Sequence, residues 1–317
     1  MSEPFLVGVI GARGHTGKEL LTLIGKHPEL MLAYASSREF AGRKVSDVTP
    51  LLHDEIEFEA LSPEEAAPRR ADVVILALPD GAAAPFIDAL EKNAPHRILI
   101  DLSADHRFDD EWIYGLPELH REKIKRQKRI ANPGCYATAM QLAIAPLLGK
   151  LSAPPSVFGV SGYSGAGTTP NPRNDQDRLR DNLMPYALVG HKHEREASRH
   201  LGHPVRFTPH VHPAFRGINV TVHLPLGEPI DQSSLRGLYD KFYQREPLVT
   251  LQTDPPELRD GTGASGVVIG GFAVSQDGTH AVVVAAEDNL LKGAAVQAVQ
   301  NLNLALGLGE FSGINTP

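Results

Sequence analysis

Short continuous apolar runs alternate along this chain with stretches in which apolar residues recur every three or four positions. Phe5–Ile10 is an apolar run of strand length ending at Gly11, which predicts a buried parallel strand. Beyond the turn Gly11-Ala12-Arg13-Gly14-His15-Thr16-Gly17, residues Leu20, Leu23, Ile24 and His27 recur at helical spacing, and Pro28 marks the stop. Residues 31–35, 73–78 and 98–102 read as further buried strands. Strand, glycine turn, helix, strand is the opening of a doubly wound α/β sheet. Past residue 150 the pattern changes. Residues 205–211 and 218–224 alternate apolar and polar positions imperfectly, and Val267–Val274 and 280–286 flank a Gln276-Asp277-Gly278 turn as a hairpin. These predict an antiparallel sheet, and so a second domain of α+β type. Residues 290–306 then read as one helix, with Ala294, Ala295, Ala298 and Leu302 on an apolar side that packs back on the first domain.

Composition narrows the class. A chain of 317 residues, 42% hydrophobic, can bury two cores, and 29 Gly with 25 Pro suit an α/β enzyme with many tight loops. A net charge of -7 argues against nucleic acid as a partner. The densest basic run, 121–129, is interrupted by Glu122, Ile124 and Gln127 and reads as a solvated helix face. One cysteine excludes an internal disulfide framework and a cysteine-rich zinc site. Residues 1–7 lack a basic region followed by a long apolar stretch, so no signal peptide is read there. No apolar run has the length of a membrane span. The expectation is a soluble cytoplasmic protein with no membrane partner.

The glycine turn is the first candidate site. Gly11, Gly14 and Gly17 sit between a strand and a helix at a spacing shifted from G-x-G-x-x-G. The logic is the same: small residues admit a pyrophosphate to the backbone, and the helix from Thr16 offers N–H groups to it. Arg13 and His15 belong to the same turn. At the end of the second strand an NAD site usually carries an acid; this chain has Ser36-Ser37-Arg38, with no acid until Glu39. Hydroxyls and a guanidinium suit a 2′-phosphate, so NADP is expected.

The cysteine is the second. A lone cysteine is most often a small buried hydrophobe. Here Asn132-Pro133-Gly134-Cys135 joins a short strand, 129–131, to an apolar helical stretch, 139–148. That places Cys135 at a helix start, where the dipole favours the nucleophilic thiolate. Gly190-His191-Lys192-His193-Glu194 offers imidazoles and a carboxylate to move its protons. Side chains two positions apart point roughly apart in a helix, so one histidine is expected to act and the other to be structural or bind substrate. No metal is expected at the pair, since no H-x-x-E-H motif or cysteine partner accompanies it. His210 and His212 read as strand and loop residues near the site.

With these residues in view, the chain resembles the N-acetyl-gamma-glutamyl-phosphate reductase family over nearly its whole length. The motifs that carry the resemblance begin with Asp101-Leu102-Ser103-Ala104-Asp105-His106-Arg107, Tyr114-Gly115-Leu116-Pro117-Glu118 and Asn132-Pro133-Gly134-Cys135-Tyr136. Residues 159–167, His191-Lys192-His193-Glu194, Pro209-His210-Val211, Arg216-Gly217-Ile218 and 287–295 complete them. The family often has Phe where this chain has His106, and Arg and then Pro-Glu where it has Lys192 and Glu194-Arg195-Glu196.

The resemblance implies a Rossmann-type domain over 1–137 plus 290–317 and an inserted α+β catalytic and oligomerisation domain over 138–289. It implies Cys135 as nucleophile, His193 as the acid–base and His191 nearby. It implies Ser103 and Arg107 beside the substrate phosphate, with Asn132, Glu194 and Arg216 also at the substrate. Ser161 and Gly162 would lie beside the nicotinamide and Asn289 would hold its carboxamide. The implied reaction is NADPH-dependent reduction of N-acetyl-L-glutamyl 5-phosphate to the 5-semialdehyde and inorganic phosphate, in arginine biosynthesis, by a homotetramer or homodimer. Thiolate attack on the acyl phosphate gives a thioester able to accept hydride. Arg107 could instead form a surface ion pair with Asp105 or Asp109.

Related acyl-phosphate reductases, acting on aspartyl phosphate or on carrier-protein-linked aminoadipyl or glutamyl phosphate, share this mechanism. A carrier protein would want a basic rim, which the net charge of -7 does not offer. A non-catalytic NADP sensor would need the glycine turn but not Cys135, the histidines and Arg107 together.

Overall fold

The computed structural model describes residues 3–49 and 56–316, so Met1 and Ser2 of the leader reading lie outside the described residues. The chain divides into two compact units: the described residues up to Pro133 together with Ala294–Asn315, and Gly134–Gly293.

The first unit is built on β1 (Phe5–Ile10), β2 (Leu30–Ser36), β3 (Phe58–Glu59), β4 (Val73–Leu76), β5 (Ile98–Asp101), β6 (Ile113–Tyr114) and β7 (Arg129–Ala131). They form one sheet in the order β3-β2-β1-β4-β5-β7-β6, every pair parallel. Its helices are α1 (His15–Lys26), α2 (Pro63–Ala66), α3 (Ala84–Asn93), α4 (Pro117–Ile124) and, after the second unit, α10 (Val296–Leu306). All four residues of β4 and of β5 are buried, which is why these strands read as continuous apolar runs. The strand order reverses between β1 and β4, the place where doubly wound sheets bind ligands beyond the strand ends.

Two expectations for this unit change. The basic run 121–129 is not one helix face: α4 ends at Ile124, Arg126 has φ 59°, and Arg129 opens β7. Arg121 also pairs with Glu310. The predicted helix 290–306 begins with a π-helical segment, Leu291–Ala295, where Gly293 N donates five residues back to the Asp288 carbonyl. Every residue of α10 but Leu306 is buried, amides included. The helix packs on α1, α4 and β5. Gln297 and Asn301 both donate to the Gly115 carbonyl, at 2.8 and 2.9 Å, so polar groups that break the apolar periodicity are satisfied inside the core.

The second unit holds β8 (Ser156–Gly162), β9 (Met184–Pro185), β10 (Arg206–His212), β11 (Ile218–Pro225), β12 (Val249–Leu251), β13 (Val267–Val274) and β14 (His280–Glu287), in the order β12-β13-β14-β11-β8-β10-β9. The β13/β14 hairpin and the β11 pairings to β14 and β8 are antiparallel. The sheet as a whole is mixed, because β10 runs parallel to β8 and β12 parallel to β13. The chain leaves β8 and returns through α6 (Gln176–Leu179) and α7 (Lys192–Leu201), long enough to bring β10 back in the same direction. α5 (Cys135–Ile144), α8 (Gln232–Tyr243) and α9 (Leu258–Gly261) pack on the sheet, α5 against β11 and β14.

Candidate active site

In the first unit the glycine turn closes β1 and opens α1. Gly11 has φ +84°, and a Cβ there would lie 2.3 Å from the Ala77 carbonyl oxygen, so the turn passes hard against the segment after β4. A Cβ on Gly14 would meet only the Gly11 carbonyl at 3.9 Å, which leaves the N-cap of α1 open. No side chain caps that helix, so its first N–H groups suit a pyrophosphate. Gly11 N and Ala12 N donate to the Ser36 carbonyl at 3.1 and 2.9 Å, tying the turn to β2. Ser36 and Ser37 are buried, and Ser37 Oγ accepts from Phe40 N at 3.1 Å. Arg38 is exposed. Arg13, expected at the cofactor, pairs with Glu39, the acid that follows Arg38. Two cations that the sequence did not single out gather here: Arg43 and Lys18 lie 4.7 and 5.9 Å from the Phe40 ring.

At the ends of β5 and β7, Arg107 is 6% exposed and donates through Nε to the Asn132 carbonyl (2.9 Å) and through Nη2 to the Leu102 carbonyl (2.8 Å). It is therefore not an exposed ion pair of Asp105 or Asp109. Ser103 Oγ donates to Asp101 at 2.7 Å and accepts from Asp105 N at 3.2 Å, so its hydroxyl proton is spent on a carboxylate. The Asn132 amide donates to the Ala294 carbonyl and accepts from Asn301. It braces the returning α10.

In the second unit, Cys135 is the first residue of α5, partly exposed, with Gly134 as N-cap. Gly134 N donates to Glu196 Oε1 at 2.7 Å, and Glu196 is fully buried. The next residue, Tyr136, is also buried, its hydroxyl on the His210 carbonyl at 2.9 Å. Burial holds its phenol well above the ordinary range. Both imidazoles stand around this ring, with centroids 6.4 Å (His191) and 6.2 Å (His193) away and 4.8 Å from each other. The expectation that the two would diverge is corrected. His191 is the N-cap of α7 rather than part of the helix, and its extended backbone turns the ring back toward His193. Its Nδ1 accepts from His193 N at 3.1 Å, which puts the ring proton on Nε2. Burial first, then Lys192, Arg173 and Arg195, push its pKa down to about 4. Tyr186 lies 5.5 Å from His191 with Arg173 over its ring. Burial and then the Cys135 charge push the Tyr186 phenol up to about 12.

Glu194 does not join this cluster. Its two oxygens accept from Gly190 N (3.0 Å) and Phe207 N (2.8 Å), fixing the loop before α7 to β10. The acid that reaches the cysteine helix is Glu196, one helical turn beyond His193 and so on the same face. It was missed in the sequence; its spacing of three from His193 is the signal that could have found it. Arg216 is forked onto Asp288, Nε to Oδ2 at 2.6 Å and Nη2 to Oδ1 at 3.0 Å. Asn289 accepts from Gly217 N at 2.8 Å and donates to Ser164 Oγ at 2.9 Å, beside the Ser161-Gly162 end of β8. A Cβ on Gly293 would lie 2.7 Å from Cys135 Cβ and 3.0 Å from Glu287 Oε1, so only glycine lets the chain pass there. Among the described residues no three His, Cys, Asp or Glu side chains stand together to hold a metal ion, and no helix is long and apolar enough to cross a membrane.

A parallel sheet with a dinucleotide turn, and a helix-start thiol whose neighbour Tyr136 is ringed by two imidazoles, define an oxidoreductase of the semialdehyde dehydrogenase class. Residues 6–127 match the family model described as Semialdehyde dehydrogenase, NAD binding domain, and residues 135–289 the one described as Semialdehyde dehydrogenase, dimerisation domain. The chain is 54% identical to the N-acetyl-gamma-glutamyl-phosphate reductase of Xanthomonas campestris pv. campestris (strain 8004), over 98% of its length and 99% of that protein. The protein of that name from Xylella fastidiosa (strain 9a5c) is also 54% identical, over 98% and 93%. The chain belongs to the N-acetyl-gamma-glutamyl-phosphate reductase family, whose cofactor is a nicotinamide dinucleotide. Its fold is that of aspartate semialdehyde dehydrogenase II of Vibrio cholerae, complexed with ASA, at TM-score 0.79 and 19% identity over 96% and 99% of the chains. The enzyme of Candida albicans with NADP matches at TM-score 0.74 and 16% identity over the same shares.

Proposed function

We propose that this protein reduces N-acetyl-L-glutamyl 5-phosphate to N-acetyl-L-glutamate 5-semialdehyde with NADPH, releasing phosphate, in arginine biosynthesis in the cytoplasm. The observation that carries the reading is Cys135 as first residue of α5, with both imidazoles around the adjacent Tyr136. The Cys135 sulfur attacks the acyl carbon and phosphate leaves, forming a thioester. The reduced nicotinamide supplies the hydride. Hydride addition leaves an oxyanion on the Cys135 adduct that accepts a proton as charge develops, and the oxygen gives that proton back as the C–S bond breaks and aldehyde and thiolate separate. His193 is the donor in this reading, because His191 has its Nδ1 occupied and is neutral at neutral pH. Glu196 holds Gly134 N and so the start of the cysteine helix.

Within the first unit, Gly11, Gly14, His15, Thr16 and Gly17 receive the pyrophosphate, Ser36, Ser37 and Arg38 the 2′-phosphate, and Arg107 the substrate phosphate. Within the second, Ser161, Gly162 and Asn289 serve the nicotinamide and Arg216 the substrate. The first unit is the cofactor-binding domain. The second is the catalytic domain through which copies of the chain associate, as the dimerisation description of 135–289 supports.

The test is phosphate-dependent reduction of NADP, the reverse reaction, with N-acetylglutamate semialdehyde against aspartate semialdehyde. The acetylated substrate is expected to win by at least about a hundredfold in kcat/KM, and Cys135→Ser to lose about 10⁴-fold or more. Preference for aspartate semialdehyde, or full activity in Cys135→Ser, overturns the reading.

A further inference from the structure

Asp101, the last residue of β5, is a carboxylate with no exposure at all. It accepts from Ser103 N (2.9 Å), from Ser103 Oγ (2.7 Å) and from His106 Nδ1 (2.6 Å). Neutral donors stabilise a buried carboxylate in part, and the remaining cost of taking its charge out of water is offset by a cation beside it. The partner able to carry that charge is His106. Its side chain is 16% exposed and lies stacked on the Trp112 ring, centroids 4.3 Å apart and planes 27° apart. Three other acids of the neighbouring loops have backbone partners: Asp80 accepts from Ala104 N, Asp105 from Gly81 N and Asp109 from Glu111 N. Arg107 follows His106 directly and spans the Leu102 and Asn132 carbonyls at the same end of the sheet.

We propose that His106 is the counter-ion of Asp101 and thereby sets how strongly the Arg107 loop receives an anionic phosphate. The proposal rests on the reading of Arg107 as the phosphate partner. Paired with a protonated His106, Asp101 adds no net negative charge to the end of β5. Without it, a buried carboxylate two residues from Ser103 and one from Leu102 repels the incoming anion and draws on the field of Arg107. His106 acts through Asp101, so it is a positioning residue whose effect falls on phosphate affinity.

The experiment is KM for inorganic phosphate in the reverse reaction of the full-length enzyme. His106→Phe keeps a ring against Trp112 and removes the charge. KM for phosphate is expected to rise about tenfold, the scale of one charge at several ångströms in a medium of intermediate dielectric. KM for NADP and kcat at saturating phosphate are expected to change less than about twofold, since neither depends on that charge. The double variant Asp101→Asn, His106→Phe removes both charges and is expected to restore KM to within about threefold of the parent. A purely structural role would not be rescued by a second core substitution. An unchanged KM in His106→Phe, or a raised KM that the double variant does not restore, overturns the proposal. Arg107→Lys separates the two failures. If it leaves KM for phosphate unchanged, the placement of phosphate at Arg107 fails and the proposal with it. If it raises KM while His106→Phe does not, only the counter-ion role fails.

Discussion

Two histidines two positions apart differ in what their rings already do. His191 caps α7 with Nδ1, and its pKa of about 4 lies well below the ordinary 6.5. Between those values the unfolded chain holds a proton on this ring and the folded chain does not. The stability this neutral ring contributes is therefore present above pH 6.5 and is lost as pH falls toward about 4. His191→Gln is expected to flatten the fall in unfolding free energy over that window, measured by urea titration, by about 2 kcal/mol. A slope equal to the parent's would contradict the assignment. His27, also pushed down by burial, keeps part of the slope in both proteins. Sequence spacing located both imidazoles but misjudged their directions, because a cap residue does not follow the helical rotation. It chose Glu194 over Glu196 for a related reason: adjacency in the sequence is not adjacency on a helix face.

At the scale of elements, the central strands β4 and β5 were legible because all their residues are buried and they read as continuous apolar runs, whereas the two-residue strands β3 and β6 were missed. The parallel pairs of the second sheet were not legible, since alternation reports burial and not direction. The π-helical start before α10 was hidden too; it contains Gly293, where a Cβ would lie 2.7 Å from Cys135 Cβ, a tertiary contact that no local pattern reports. The end of β2 gives a prediction of its own. Arg38 is exposed there, and Lys18 and Arg43 gather around Phe40, while Glu39 is neutralised by Arg13. Arg38→Ala combined with Arg43→Ala is expected to lower the NADPH-to-NADH ratio of kcat/KM by about a hundredfold, each charge-assisted phosphate contact being worth roughly tenfold. The melting temperature is expected to stay within about 2 °C, as surface charges contribute little to stability. An unchanged ratio would remove these cations from the cofactor site.

Across the whole molecule, the resemblance read from the motifs agrees with relatives 54% identical over nearly the full length. Composition alone reached no further than an acidic two-core α/β protein, because the chemistry rests on fewer than twenty side chains. The brace formed by Asn132, Asn301 and Gly115 has a consequence in time. The second unit is contiguous, Gly134–Gly293, and all of it has been synthesised before the first unit receives α10. A growing chain thus carries an incomplete dinucleotide sheet, its Gly115 carbonyl and Asn132 amide waiting for Asn301, while the later-encoded cysteine unit is already free to fold. The half that begins the chain is completed only by the last helix to be made.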